Sequence, residues 1–259
     1  MKSIILIGAI IVFSFSAYAE VSVKFEAGNS GTSLVFSEGG SELGRENYDV
    51  DGVYKGVSGS IPDGIYKIYY KDKKTVRFEY TFKGGSKIAV KLFTEEGFLQ
   101  YDAGYKNGVL DGTKTLYYKD KIPMQIINYK NGKRDGVYIS FFQNGNKEYE
   151  ENYKEEVKEG KRKAYYTSGV VESEETYKND MLDGPWKKYW ENGKVKGETL
   201  YIDGAPAGSF KSYHENGKTE TEANYKNGML NGAMKIYGSD GKLKSEVLYK
   251  DDKPIKKIK

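Results

Sequence analysis

The sequence predicts an all-β protein, built as an elongated single-sheet antiparallel meander of about eight 24-residue β-hairpin repeats. Three observations lead to this fold class. A 24-residue register connects Gly232 back to Gly64, an aromatic residue stands five positions into every repeat, and tyrosine stands at position seventeen in seven of the eight. A fixed period of this length indicates stacked repeats rather than one globular core.

Each repeat is counted from its opening residue, which is position zero. The opening residues are Gly64, Ile88, Gly112, Gly136, Gly160, Gly184, Gly208 and Gly232. The clearest copy runs from Asp183 to Lys194, and its core is Gly184-Pro185-Trp186. Residues 64–252 therefore form the predicted repeat array.

Composition agrees with thin stacked units. Hydrophobic residues make up 38% of the chain, with 24 Tyr and 31 Gly, which is too aromatic for a disordered chain and too poor in aliphatics for one large core. The absence of cysteine excludes disulfides and thiolate metal sites. Because 41 basic and 37 acidic residues are interspersed, the chain is not expected to bind nucleic acid.

Residues 1–19 have the layout of a secretory signal peptide. Lys2 precedes an apolar run over 4–15, and Ala17-Tyr18-Ala19 forms an A-x-A cleavage site. We expect export to the periplasm, the cell surface or the medium, with a mature chain that starts at Glu20. The alternative is a retained anchor helix.

Both ends of the array are atypical. Residues 20–63 are predicted to be capping strands that protect the open end of the sheet, because repeat arrays need such ends. We expect strands over 21–27, 33–37 and 48–56, a loop over 38–46 and a turn over 58–63. The basic C-terminal tail, residues 253–259, is expected to fray.

The pattern of each repeat predicts a hairpin, with two β-favouring runs separated by a turn, which in the Gly208 repeat is the Asn-Gly dipeptide Asn216-Gly217. This dipeptide predicts a two-residue type I′ turn in which both residues have positive φ. Such a turn at positions eight and nine makes paired positions sum to seventeen. Lys187 should then face Glu198, and the Tyr201 ring should cover Gly184.

Period-2 alternation divides the side chains between two faces. Positions two, four, six, eleven, thirteen, fifteen and seventeen should share an aromatic face, which includes Trp186, Trp190 and Val195. The opposite face should carry the Lys and acid pairs with the aromatic residue of position five. The array would contain about sixteen short strands.

The sequence gives little support for a catalytic function. His214 is the only histidine, and it fills a position held elsewhere by Phe142, Tyr166 and Trp190, so we interpret it as an aromatic-slot residue rather than a base. Acids recur at position fourteen, which favours ladder partners over a glycosidase pair. We predict no enzyme, no catalytic residue and no cofactor, with a carbohydrate-active enzyme as the weaker alternative.

A calcium loop is the nearest approach to a metal motif. Residues 47–52 place oxygen ligands at alternate positions and Gly52 at the sixth. Ser58 stands at the twelfth position, where a bidentate Glu is needed. A polar turn is the favoured interpretation, and no metal site is predicted.

The repeats resemble the MORN repeat, in its shorter bacterial variant with the pattern D-G-x-W-x-x-Y-x-x-N-G-K followed by Y-K-N-G. Asp183–Lys194 carries the first half and residues 225–228 carry the second. The first repeats depart from it at Lys73, Ile88 and Lys121. The resemblance implies a non-enzymatic scaffold for protein interaction, with phospholipid association in some members and antitoxin or immunity labels in bacteria.

Exposed aromatic residues are the candidate binding site. Large apolar patches on a sheet face mark binding surfaces, and Trp dominates interface energetics. The candidate partner-binding residues are Trp186, Trp190, Tyr166, His214 and Phe142. A protein on a host or competing cell, or a toxin, is the expected partner. The alternatives are a phospholipid or glycan surface, or rings that only stack within the sheet.

Overall fold

The computed structural model describes residues 21–259, so the predicted signal peptide lies outside the described residues. Every regular element in this range is a β-strand, and strands that follow one another in sequence pair antiparallel in successive hairpins. The predicted all-β meander of hairpins is confirmed. No helix in residues 21–259 is long and apolar enough to cross a membrane. The chain divides into an N-terminal unit, which ends at Lys133, and a C-terminal unit, which starts at Arg134.

The N-terminal unit contains a separate four-stranded sheet and the first repeats. The sheet has the order β1-β2-β3-β4. Its strands are β1 (Val21–Gly28), β2 (Gly31–Glu38), β3 (Ser41–Tyr48) and β4 (Tyr54–Gly59). The repeats supply β5 (Gly64–Tyr69), β6 (Val76–Lys83), β7 (Ser86–Phe93), β8 (Leu99–Lys106), β9 (Val109–Tyr117) and β10 (Pro123–Lys130).

The four-stranded sheet packs on the face of the first repeats. Phe36 of β2 makes edge contacts with Tyr66 and Phe82, at ring-centroid distances of 5.3 and 5.0 Å. Val23 and Phe36 are fully buried in this cluster. Strand β3 occupies most of the stretch that we predicted as a loop over 38–46, so that prediction is wrong. The side chain of Glu46 in this strand points into the interior. The alternation of polar and apolar residues does not predict a buried glutamate there.

A buried ion pair joins the two layers. Lys87 of β7 lies 2.8 Å from Glu46, and the Tyr48 hydroxyl contacts both groups at 2.8 Å. Glu46 is 0% exposed and Lys87 is 4% exposed. The Lys87 ammonium also lies 5.5, 5.8 and 5.0 Å from the ring centroids of Tyr48, Tyr80 and Tyr105. Aromatic faces attract a cation, so the rings share the solvation of this charge.

The C-terminal unit is one antiparallel meander. Its strands are β11 (Lys133–Phe141), β12 (Lys147–Lys154), β13 (Val157–Lys158), β14 (Gly160–Tyr165), β15 (Val171–Lys178), β16 (Met181–Leu182), β17 (Gly184–Tyr189), β18 (Val195–Ile202), β19 (Ala205–Tyr213), β20 (Thr219–Lys226), β21 (Met229–Leu230), β22 (Gly232–Tyr237), β23 (Leu243–Lys250) and β24 (Lys253–Lys257). The predicted fraying tail instead forms β24, which pairs with β23.

The predicted register is confirmed over most of each hairpin. Gly184 pairs with Tyr201, and Lys187 pairs with Glu198. The same offsets recur between β14 and β15, β19 and β20, and β22 and β23. The sum rule fails after position four, because Tyr189 pairs with Val195 across a β-bulge. Val195 therefore shares a face with Tyr189 and not with Trp186, contrary to our prediction.

The first turn of each repeat is not the type I′ turn that we predicted. In the first turn, Gly193 has φ 80° but Asn192 is not in the left-handed region, and Gly193 N–H donates to the Trp190 carbonyl. This is a type I turn followed by a glycine bulge. In the second turn, Asn227 and Gly228 have φ 51° and 79°. The type I′ turn is therefore the second connection.

The opening glycines serve the backbone rather than the tyrosine rings. Gly184 has φ 135° and Gly208 has φ 70°, and both values favour glycine. A Cβ added to Gly208 would meet nothing within 4 Å, so the Tyr225 ring does not cover it. That ring packs instead beside Phe210, at 6.3 Å between centroids. The predicted covering of glycine by tyrosine is wrong.

Candidate functional site

A ladder of lysine, glutamate and tyrosine runs along one face of the C-terminal unit. Within a repeat, Lys187 pairs with Glu198 at 3.2 Å, and Tyr213 of the next repeat donates to the same carboxylate at 2.9 Å. The motif recurs one repeat on either side. The further Lys–Glu–Tyr sets are Lys163–Glu174–Tyr189 and Lys211–Glu222–Tyr237. The predicted Lys–acid pairs are confirmed, and the tyrosine connects successive repeats.

The ladder shifts the ionisation of its members in opposite directions. Hydrogen bonds from Lys163 and then Tyr189 lower the pKa of the Glu174 carboxyl, because both stabilise the anion. The pKa of Glu198 is lowered in the same way by Tyr213 and then Lys187. Burial, with the carboxylate acceptor next, raises the pKa of Tyr189 to about 12. These are the properties of a structural network that stays charged at neutral pH.

The candidate residues Phe142, Tyr166, Trp190 and His214 occupy position six, in successive turns after β11, β14, β17 and β19. Three of them donate a hydrogen bond to the position-five carbonyl of the next repeat. Tyr166 contacts the Tyr189 carbonyl at 2.7 Å, Trp190 contacts Tyr213 at 3.1 Å, and His214 contacts Tyr237 at 3.0 Å. Their polar atoms therefore join repeats, while the rings stay partly exposed.

Trp186 lies apart from that row, in the middle of β17 on the aromatic face. It pairs with Thr199, and its ring lies 3.4 Å from the point where a Cβ on Gly197 would stand. Gly197 thus gives the indole room to lie on the sheet. Trp190 receives the Lys196 ammonium at 4.2 Å from its ring centroid. Both rings are half-buried.

The same face of the first C-terminal repeats carries a charged cluster that sequence reasoning missed. Glu151 is 5% exposed and lies 3.0 Å from Lys158 and 3.3 Å from Arg162. Tyr153 donates to Glu151 at 2.6 Å, and Arg162 also pairs with Glu175 at 3.2 Å. Arg162 stands at position two, which Trp186 and Phe210 occupy in later repeats. This charged residue in an aromatic position could have indicated the cluster.

Both turn edges carry repeat-to-repeat hydrogen bonds. On one edge the Asn216 side chain donates to the Ser239 carbonyl at 2.8 Å, and the Asn144 side chain donates to Thr167 at 2.9 Å. On the other edge, Gly204 N–H donates to the Leu182 carbonyl at 2.8 Å. The Asn of the Asn-Gly dipeptide in these first turns therefore connects one repeat to the next, as Asn144, Asn192 and Asn216 do, and this explains its recurrence there without positive φ.

Comparison with protein families gives a match over six of these repeats. The model described as MORN repeat variant matches residues 110–131, 134–155, 158–179, 182–203, 207–227 and 230–251, together half of the chain. The chain belongs to the MORN repeat variant family. Each matched MORN segment ends on the first residue of a type I′ turn, as 207–227 ends on Asn227. A comparison with curated proteins finds no significant match.

The predicted repeats before residue 110 lie outside that match. Two departures from the repeat pattern, one before residue 110 and one inside the first matched segment, are accommodated by the backbone. Lys73 and Lys121 replace the turn glycine and take φ 57° and 63°, which are left-handed values. MORN repeats are in general a non-enzymatic type that binds proteins or membrane lipids. Within residues 21–259, no group of three potential metal ligands is present. Asp49, in the calcium-like segment, accepts from Asp51 and Val53 N–H and pairs with Lys55 at 2.8 Å.

Proposed function

We propose that this protein is an exported, non-enzymatic MORN scaffold that binds another protein through the aromatic face of its C-terminal unit. The observation that carries the proposal is the half-buried Trp186 on a face that no second sheet of residues 134–259 covers. A partly exposed indole on a rigid sheet is typical of interface hot spots. The partner is a protein of a host or competing cell, or a toxin.

The scaffold geometry supports binding rather than catalysis. The carboxylates of the ladder are engaged by Lys and Tyr in three successive repeats, as Glu198 is by Lys187 and Tyr213. His214 contacts the Tyr237 carbonyl and lies 4.0 Å from Glu220. A general base needs a free nitrogen aimed at a substrate, and this ring is used between two repeats.

The test uses replacements that other repeats already carry, so that packing is preserved. Met234 stands at position two and His214 at position six, and they suggest Trp186→Met with Trp190→His. We expect in-cell crosslinking of the tagged chain to a partner to be lost in the double variant, with an unchanged thermal transition. A double variant that unfolds would show that the rings are structural.

Export supplies a separate test. The A-x-A end at Ala19 predicts a mature chain that begins with Glu20. Mass spectrometry of the N-terminal peptide from exported protein should find Glu20. An intact Met1 on membrane-associated protein would favour the retained anchor.

A second candidate function is peripheral binding to an anionic lipid surface. Position eighteen of the C-terminal repeats carries exposed lysines at Lys154, Lys178, Lys226 and Lys250. Lysine near an anionic membrane is worth about 1 kcal/mol per charge, and salt screens it. Flotation with phosphatidylserine vesicles at low salt that is lost at high salt supports this function, and no flotation at low salt removes it.

A further inference from the structure

One place in the C-terminal unit interrupts the lysine row of position eighteen. Ile202 stands there in the Gly184 repeat, and Leu200 stands two residues before it on the same face of β18. Ile202 is 51% exposed and Leu200 is 41% exposed. The other C-terminal repeats have Lys at position eighteen, and Leu248 is half-buried beside Lys250. The sheet itself does not require this apolar pair.

Neighbouring residues extend the apolar surface. Leu200 pairs directly with Pro185 on one side and with Ala207 on the other, while Ile202 pairs with Ala205. Directly paired residues share a face, so these side chains are contiguous. Met181 is 47% exposed and borders the turn at Gly204, where an added Cβ would lie 3.8 Å from the Met181 Cβ. We call Met181, Pro185, Leu200, Ile202, Ala205 and Ala207 the aliphatic patch.

The rim of the aliphatic patch is cationic. Lys178 pairs across the strands with Met181 and is exposed. Lys226 is also exposed, and its turn reaches Ala205, whose Cβ lies 3.2 Å from a Cβ placed on Gly228. The nearby acids are Asp183, which lies 3.9 Å from Lys178, and the exposed turn residues Asp180 and Asp203. Lysines thus flank the patch on both sides.

We propose that the aliphatic patch is a docking site for a protein segment with adjacent large aliphatic residues flanked by carboxylates. Charge complementarity favours this occupant, since Lys178 and Lys226 would attract its acids. The same lysines would repel each other across a face-to-face pair of copies of this chain, which disfavours self-association. The patch lies on the face opposite Trp186, because Pro185 and Trp186 are successive residues of one strand. The inference goes beyond the function proposed above and stands independently of it.

The experiment uses the full chain and three synthetic peptides. Each peptide has two adjacent leucines, flanked on both sides by glutamates, glutamines or lysines. Fluorescence anisotropy measures binding of the labelled peptides, and hydrogen exchange locates it. We expect the glutamate peptide to bind most tightly, to protect amides of β18 and β19, and to weaken as salt is raised.

Replacement by the residue of neighbouring repeats is the decisive variant. Ile202→Lys restores the lysine of position eighteen, so the variant should fold, and affinity for the glutamate peptide should fall at least about tenfold, the equivalent of 1.4 kcal/mol. Ile258→Lys, at an isoleucine that is 54% exposed in the tail, is the matched control and should leave affinity unchanged.

Other results would overturn the proposal. These are no binding of the glutamate peptide at millimolar concentration, equal binding of all three peptides, or binding that Ile202→Lys leaves intact. A concentration-dependent dimer that Ile202→Lys abolishes would make a second copy the occupant. Flotation with phosphatidylserine vesicles that Ile202→Lys abolishes, without peptide binding, would make it a lipid.

Discussion

At the scale of single residues, the N-terminal unit depends on one buried charge pair. Lys87 and Glu46 are shielded from water, and the rings of Tyr48, Tyr80 and Tyr105 lie around the Lys87 ammonium. One Glu46 oxygen accepts from Lys87 and Tyr48, and the other is buried without a hydrogen-bond partner. A pair of this kind is costly to break, because the remaining charge stays buried.

Lys87→Met should therefore lower the stability of the N-terminal unit by about 3–5 kcal/mol, since it leaves Glu46 as an uncompensated buried charge. Hydrogen exchange of β7 amides measures the change. Lys91→Met on the same strand removes a lysine whose side chain is 49% exposed, and should cost less than about 1 kcal/mol. Adding Glu46→Leu to Lys87→Met should restore much of the lost stability. Equal effects of Lys87→Met and Lys91→Met would contradict this account.

The ladder carboxylates give the C-terminal unit an acid-sensitive stability. The folded pKa values of Glu174 and Glu198 are lowered, so their contribution is present above the unfolded pKa of about 4.3 and is lost as pH falls through the folded values. Tryptophan fluorescence reports this unit, because both tryptophans lie in it. We expect its urea midpoint to fall as pH drops below about 4.3, and Glu174→Gln with Glu198→Gln to flatten that fall. An unchanged slope in the double variant would show that other carboxylates are responsible.

At the scale of elements, the hairpin is defined by two turns of opposite character. The turn after β17 needs positive φ at Gly193 alone, while the turn after β20 needs it at both Asn227 and Gly228. The glycine-bulge turn also moves Val195 to the face of Tyr189. A one-residue bulge thus decides which side chains share a surface.

Proline substitution should distinguish the two turns. Glu191 is the second residue of the type I turn, where proline is favoured, so Glu191→Pro should be neutral or stabilise by up to about 1 kcal/mol. Asn227→Pro should destabilise by more than about 1 kcal/mol, because proline cannot adopt φ 51°. Urea unfolding of the two variants measures the difference, and the reverse order would refute the turn assignment.

At the scale of the whole molecule, the repeats are stabilised mainly by their neighbours. Side chains at position five reach the preceding repeat, as Tyr213 does to Glu198, and those at position six reach the next one, as Trp190 does to Tyr213. Stability should then behave as a sum of nearest-neighbour terms. The first repeats differ, because the four-stranded sheet buries their aromatic face.

Removal of residues 21–59 should expose Tyr66, Phe82 and Val90, which are at most 9% exposed in the complete chain. We expect the truncated protein to bind the dye ANS and to lose amide protection in β5–β8, because an apolar face without its cover is hydrated. Protection in β17–β20 should persist, since coupling falls off with repeat separation. Loss of protection throughout the chain would indicate a single cooperative unit.

Much of the repeat could be predicted from the sequence, because its signals are local. The 24-residue period, the Lys187–Glu198 register and the all-β class follow from alternation and turn residues, which need no distant contact. Those local signals also placed the candidate row Phe142, Tyr166, Trp190 and His214 at one repeat position. The use of Tyr166, Trp190 and His214 as hydrogen-bond donors between repeats was not predictable, because it depends on how far one strand pair advances over the next.

The sequence by itself determined the strand order, most of the register and the identity of the repeat, since these follow from residue periodicity. Tertiary structure alone decided that β1–β4 cover the first repeats, that Glu46 and Lys87 meet 41 positions apart, and that the bulge reassigns Val195. It also made Met181, Leu200 and Ile202 one surface. Each of these depends on contacts between strands, whose free energy comes from burial and cross-strand pairing that a linear pattern does not contain.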